Sequence, residues 1–280
     1  DIAPALRELA ALDIGVLAIN GGDGTVSAIL GELLELKPFA RPPLIALLPG
    51  GTANMNAGDI GVRGSLPRAV TRFCQWCEGE RSTAGKLTQR SLMRVVTDNA
   101  QKARYGMFLG AGAIIHGTEY AHREIHSRGV RDDLSLALGT VRTVWGVLRN
   151  DPAFNRHVAI TLTLDDGPPA QYDTLILAVS TLQRLSFGMR PFWSGEPGAI
   201  RLTVMEQGCT RFARTFFSII SGHPSRNAVP ASGYRSHNAD RIRLAMRGKI
   251  NLDGELVDVA ETVAINASAA STWENPVRPC

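Results

Sequence analysis

The sequence predicts an α/β chain in two parts. A doubly wound parallel sheet spans residues 1–85, an antiparallel β-sandwich spans 86–267, and a tail of about 268–280 packs back on the first part. Three observations carry this. Strand-like and helix-like runs alternate as far as Glu78, the first two strands each end in a glycine-rich turn, and beyond Gly85 short β-prone runs separated by turn residues take over. With 280 residues, 44% of them hydrophobic and 20% charged, the chain has a globular composition and can bury its apolar surface without covalent cross-links.

The elements follow in order. Leu6, Leu9, Ala10 and Leu12 recur at helical spacing within Pro4 to Leu12, and Ile14 to Ile19 is a short β-prone run. Gly21 to Thr25 forms a turn, after which Val26, Ile29, Leu30, Leu33 and Leu34 share one face of a helix running to Leu36. Pro42 and Pro43 introduce a second strand, Leu44 to Leu48, which ends at a second turn, Pro49 to Thr52. Leu66 to Glu78 is helical again. Strands alternating with helices build a parallel sheet whose ligands gather at the strands' carboxyl ends. In the second part the strand-like runs are Leu92 to Thr97, Tyr105 to Leu109, Val158 to Leu164, Thr174 to Val179, Ile200 to Val204, Ile242 to Ala245 and Val263 to Ala267. A helical stripe, Leu134 to Leu148 with Trp145, interrupts them.

Composition narrows the function. The net charge of +4 is dispersed, which argues against nucleic acid as a partner, although 26 of the 30 basic residues are arginine. No apolar run reaches the length of a membrane span and no signal-peptide pattern opens the chain, so the expectation is a cytoplasmic protein that associates transiently with membranes. Residue 1 is Asp rather than Met, and the chain is expected to begin partway through a domain. Its four cysteines are expected to be reduced.

Asn20-Gly21-Gly22-Asp23-Gly24-Thr25 lies between a buried strand and an amphipathic helix. Glycines let the backbone approach a phosphate, the helix offers N–H groups and the positive end of its dipole, and Thr25 adds a donor. Asp23 beside a phosphate calls for a metal ion or a proton donor, which points to nucleotide chemistry with Mg²⁺. Neither Gly85-Lys86 nor Gly248-Lys249 has the glycine spacing or the following Ser or Thr of a Walker loop, and Ser27 occupies the third glycine position of a dinucleotide fingerprint. A second turn, Leu48-Pro49-Gly50-Gly51-Thr52-Ala53-Asn54, follows the next strand and emerges at the same sheet edge, so both turns can face one nucleotide.

This pair of turns resembles the diacylglycerol kinase catalytic domain family, which includes sphingosine and ceramide kinases. Ile60-Gly61 matches the Leu-Gly that closes the family's second turn, and Leu252-Asp253-Gly254-Glu255 is similar to its Asp-Gly-Glu motif. Phe108 to Gly112 and Ser221-Gly222-His223 are weaker echoes. The resemblance implies an ATP- and Mg²⁺-dependent lipid kinase acting on diacylglycerol or a similar lipid alcohol at a membrane surface, and a homodimer is compatible with it. Asn20, Gly21, Gly22, Asp23, Gly24, Thr25, Val26, Ser27, Gly51, Thr52 and Asn54 would hold the nucleotide. Glu255 would accept the hydroxyl proton, with Asp253 and Asp23 in support and Glu196 as a metal ligand. Such roles suit phosphoryl transfer, which needs an in-line hydroxyl, neutralised phosphates and a nearby base.

The sequence also departs from the family. Met55 and Ile114 stand where Asp is usual, Glu196-Pro197-Gly198-Ala199 replaces an Asp-Gly-Leu-Leu run, and the opening strand with its Asn-Pro-x-Ser-Gly turn is absent. NAD kinase, which shares the first turn, and a non-catalytic lipid or nucleotide binder are the alternatives. Cys74-Gln75-Trp76-Cys77 has redox spacing but falls in a helix, where packing is the expected role. His122 and His126, with Glu119 and Glu124 nearby, fit a solvated mixed-charge segment better than a metal site. The stripe with Trp145 is core, or else lines an acyl-chain pocket.

Overall fold

A computed structural model describes residues 1–51, 53–79, 86–100, 102–125, 157–268 and 271–275, together with Gly146 and Arg149. Thr52, His126, the stripe 134–148 apart from Gly146, and most of the tail lie outside the described residues, as do the side chains of His122 and Glu124.

The chain opens with α1 (Ile2–Ala11), β1 (Val16–Gly21), α2 (Asp23–Leu36), β2 (Leu44–Pro49), α3 (Met55–Asp59) and α4 (Leu66–Cys77). Strands β1 and β2 pair in parallel, in register from Val16 with Leu44 to Gly21 with Pro49, so both turns leave the same edge. This sheet continues through β15 (Ser271–Asn275), parallel to β2, and β3 (Lys86–Arg90), antiparallel to β15. A division at residue 85 is therefore corrected: Lys86–Arg90 pairs within the first sheet, and the chain changes sheets between Arg90 and Met93. Leu17, Ile19, Val26, Leu30, Ile45 and Leu47 form the core beneath it. Helix α2 begins at Asp23 rather than Val26, because the second half of the glycine turn is already its first turn, capped at Gly22. An acidic residue there suits the helix dipole.

The second sheet is antiparallel throughout. Its strands run β13-β12-β6-β8-β7-β11-β14-β4-β5, with β9 pairing both β8 and β10. In chain order these are β4 (Met93–Thr97), β5 (Arg104–Gly106), β6 (Phe108–Gly112), β7 (Val158–Leu164), β8 (Ala170–Ser180), β9 (Ile200–Glu206), β10 (Tyr234–Ala239), β11 (Arg241–Ala245), β12 (Gly248–Leu252), β13 (Glu255–Val259) and β14 (Thr262–Ala267). Helices α5 (Ala113–Ile125) and α6 (Phe212–Ile220) accompany it. Residues from both ends of this strand order, Val95 and Val263 with Leu252 and Val257, share one core cluster. The sheet thus folds over on itself as a sandwich.

The run Tyr105 to Leu109, expected as one strand, is divided at Met107. Met107 N–H and Phe108 N–H donate to the Asp253 carboxylate, while the Met107 carbonyl accepts from Thr181 N–H and Ser180 Oγ. Backbone groups spent in this way cannot continue a ladder.

Candidate functional site

The two turns interlock. A Cβ on Gly51 would overlap the backbone of Gly22, and one on Gly50 would overlap Asn20 Oδ1, so the second turn needs glycine at both positions. Asn54 braces the second turn: its Oδ1 accepts from Gly51 N–H at 2.9 Å and its Nδ2 donates to the Gly51 carbonyl at 2.5 Å. Asn54 itself sits in the left-handed region, at φ 44°, which asparagine tolerates.

Asp23 joins the turns from below. It is buried, and its carboxylate accepts from Met55 N–H at 3.0 Å and Asn56 N–H at 2.9 Å, the first two donors of α3. Asn54 provides no side-chain cap for that helix, so Asp23 caps it across 32 residues of chain. Burial raises the Asp23 carboxyl above its ordinary range, against the two N–H bonds that pull it down. An expected metal ligand or catalytic group is here a tie between the turns. The first N–H groups of α2 have no intrahelical acceptor, and Gly24 and Thr25 are exposed beside them, so this end of the helix can take an anion. Val26 is in the core and Ser27 is 3% exposed, so neither side chain can face a ligand.

The Asp253-Gly254 turn closes a two-residue hairpin between β12 and β13, with Leu252 opposite Glu255. Both turn residues have positive φ, 48° and 97°, as a type I′ turn requires. The tip docks on α2: Ser27 Oγ donates to Asp253 Oδ2 at 2.5 Å, and Met107 and Phe108 N–H donate at 3.0 and 2.9 Å. Burial raises the Asp253 carboxyl to about 7, with the Asp23 charge adding to the rise and the three hydrogen bonds opposing it. Gly106 gives the tip room, since a Cβ there would press on Leu252 and Asp253.

Glu255, two residues on, is exposed and pairs with Arg104 Nη1 at 3.2 Å. Of the four carboxylates assigned to the site by sequence, Asp23, Asp253, Glu196 and Glu255, it alone is not held by backbone N–H groups among the described residues. Glu196 lies elsewhere, bonded to Ser194 Oγ, His237 Nδ1 and Asn238 N–H, and its carboxyl is lowered, the hydrogen bonds outweighing the opposing effect of burial. Among the described residues no group of three or more His, Cys, Asp or Glu side chains converges as a metal site. The expected coordination through Glu196 therefore has no cluster around it. Cys74 and Cys77 lie exposed on α4.

Sequence reasoning missed Asp59, at the end of α3. Its buried carboxylate accepts from Gln183 and Arg184 N–H and pairs with Arg90 Nε at 2.7 Å. No motif signals it, because its partners lie 31 and about 125 residues away.

Comparison with known proteins agrees with this layout. Residues 1–104 match the diacylglycerol kinase catalytic domain. A probable lipid kinase YegS-like protein of Yersinia enterocolitica is 28% identical over 125 residues, 40% of this chain and 40% of that protein. One from Enterobacter sp. is 36% identical over 70 residues, 25% of this chain and 23% of its own. The aligned stretches thus span well under half of these relatives. A crystal structure of a diacylglycerol kinase from Bacillus anthracis superposes with a TM-score of 0.62 at 13% identity, covering 100% of this chain and 82% of that one, which establishes a shared fold. No helix among the described residues is long and apolar enough to cross a membrane.

Proposed function

We propose that this chain, whose residues 1–104 match the diacylglycerol kinase catalytic domain, transfers the γ-phosphate of ATP to the hydroxyl of diacylglycerol or a similar long-chain lipid alcohol. What supports the reading is the junction of the two interlocked glycine turns with the Asp253 hairpin, which docks on Ser27 of α2 and carries the exposed Glu255 two residues on. ATP phosphates would lie against Asn20 to Thr25, Gly51 and Asn54, with Thr52 in the same turn, and Mg²⁺ would arrive with the nucleotide. The acceptor oxygen bonds to the γ-phosphorus as the bond to the bridging oxygen breaks, ADP leaves, and Glu255 takes the hydroxyl proton. Arg104 beside Glu255 orients that carboxylate.

A lipid acceptor needs a surface that meets a bilayer. Phe187 and Phe217 are 61% and 54% exposed, and arginines 184, 190 and 214 flank them in sequence, a composition suited to an anionic interface. A nucleotide binder without transfer is the second reading, favoured by the commitment of Asp23 and Asp253 to backbone donors.

Labelled ATP presented in parallel with diacylglycerol, sphingosine and NAD decides among them. Label in diacylglycerol, reduced at least a hundredfold in Glu255→Gln with the fold intact, is expected. Label in NAD alone refutes the lipid reading, ATP binding without transfer favours the binder, and full activity in Glu255→Gln removes that residue from the chemistry.

A further inference from the structure

The Asp59 carboxylate serves three donors: Oδ1 accepts from Gln183 N–H at 2.9 Å and Arg184 N–H at 2.7 Å, and Oδ2 from Arg90 Nε. The Arg90 side chain is only 12% exposed. A second guanidinium, Arg201 on β9, lies half-buried in the same field, acted on by both Arg90 and Asp59. It donates Nη1 to the Leu182 carbonyl at 3.2 Å and, among the described residues, has no ion pair. Two guanidinium groups thus share one carboxylate that already serves two backbone donors. Burial, with Arg90 adding, pulls the Arg201 guanidinium below its ordinary range. A half-buried charge that has only a share in one carboxylate is costly, and an oxyanion bridging the two forks would relieve the cost.

The surroundings are polar as well. Asn56 on α3 is 1% exposed and, among the described residues, both its amide atoms are unpartnered, as are the buried hydroxyls of Thr181 and Ser186 on the segment that packs against α3. Thr181 N–H donates to the Met107 carbonyl, whose own N–H goes to Asp253, so this seam is wired to the hairpin tip.

We propose that Arg201 and Arg90 form an oxyanion site for a phosphate group, at the seam of α3, the 181–186 segment and β9. The proposal deepens the kinase reading and rests on it only for the source of the phosphate, which is either the headgroup of an acceptor lipid or the nucleotide.

Thermal unfolding of the full chain in inorganic phosphate against chloride, at equal ionic strength and pH 7.5, tests it. Phosphate is expected to raise the wild-type midpoint in a dose-dependent way. Arg201→Met should abolish that response and, in chloride, unfold no earlier than wild type, because it removes a charge that Asp59 neutralises only in part. Arg201→Lys, which keeps the charge without the fork, should weaken the response. An unchanged response in Arg201→Met overturns the site, and if that variant does not fold, an unweakened response in Arg201→Lys does so. A large loss of stability in chloride with Arg201→Met also overturns it, because the arginine is then structural. The same variants with ATP, and with phosphatidylglycerol against diacylglycerol in neutral detergent, identify the source. A shift dependent on Arg201 in neither arm removes the link to substrate. No turnover is read, so a chain that binds phosphate through Arg201 but labels no lipid refutes the kinase reading alone.

Discussion

Replacing Asp253 by asparagine changes a charge while leaving the hairpin turn in place, because asparagine accepts φ 48° as readily as aspartate. In the unfolded chain this carboxyl loses its proton near 3.8, whereas burial in the folded chain holds the proton to about 7. Between those values the folded state binds more protons than the unfolded one, so stability falls as pH rises, by about 1.4 kcal/mol per pH unit. Across the window the loss is on the order of 4 kcal/mol, and it levels off above pH 7 and below pH 4. Asparagine has no such slope. Its amide turns an NH₂ toward Met107 or Phe108 N–H, a fixed cost of about 1–3 kcal/mol. Urea unfolding of both proteins from pH 4.5 to 8 gives the difference directly. Wild type should be clearly the more stable at pH 5, with the gap closing or reversing by pH 8. A difference that stays flat over this range refutes the reasoning, since the carboxylate would then be ionised throughout.

Asp23→Ala removes the cap of α3 and should cost about 1–2 kcal/mol in denaturant unfolding while weakening nucleotide binding in a titration, because the second turn loses its tether. Gly51→Ala forces the turns apart and should abolish nucleotide binding, with a stability loss of about 1–3 kcal/mol by thermal unfolding. Phe187 sits at φ 58°, a strained position for a bulky side chain. Phe187→Asn should therefore raise stability by about 1 kcal/mol while reducing co-sedimentation with anionic vesicles, and a gain without that reduction would dissociate Phe187 from the membrane.

Where neighbours in sequence are neighbours in space, the fold was legible. Leu17, Ile19, Ile45 and Leu47 announce buried strands, Val26 and Leu30 a helix face, and the glycine turns between them follow from the strand-to-helix change. Helix α5 was missed because Ile114, Ile115, Gly117 and Thr118 are weak helix formers, held there by packing against β6 and β12. The break at Met107 and the role of Asp59 were invisible for another reason. Each depends on a carboxylate meeting backbone N–H groups more than 100 residues away, and no local pattern encodes such a meeting. Strand β3 was lost similarly, since its partner β15 lies at the far end of the chain.

The site residues sort by a simple physical test, namely whether a polar group still has bonding capacity to offer. Asp23 and Asp253 have carboxyl groups aimed at two and three donors of their own chain, so their hydrogen bonds hold turns and hairpin together before any ligand arrives. Removing either would disturb binding without either having touched substrate. Glu255, held only by an exposed arginine, and the first N–H groups of α2 keep capacity in hand. The same test isolates Arg201, a half-buried guanidinium satisfied by a single carbonyl. Three-residue motifs such as Asp-Gly-Glu therefore combine opposite duties: the aspartate fixes the hairpin to α2, the glycine permits the turn, and the exposed glutamate keeps the bonding capacity that the proposed proton transfer needs.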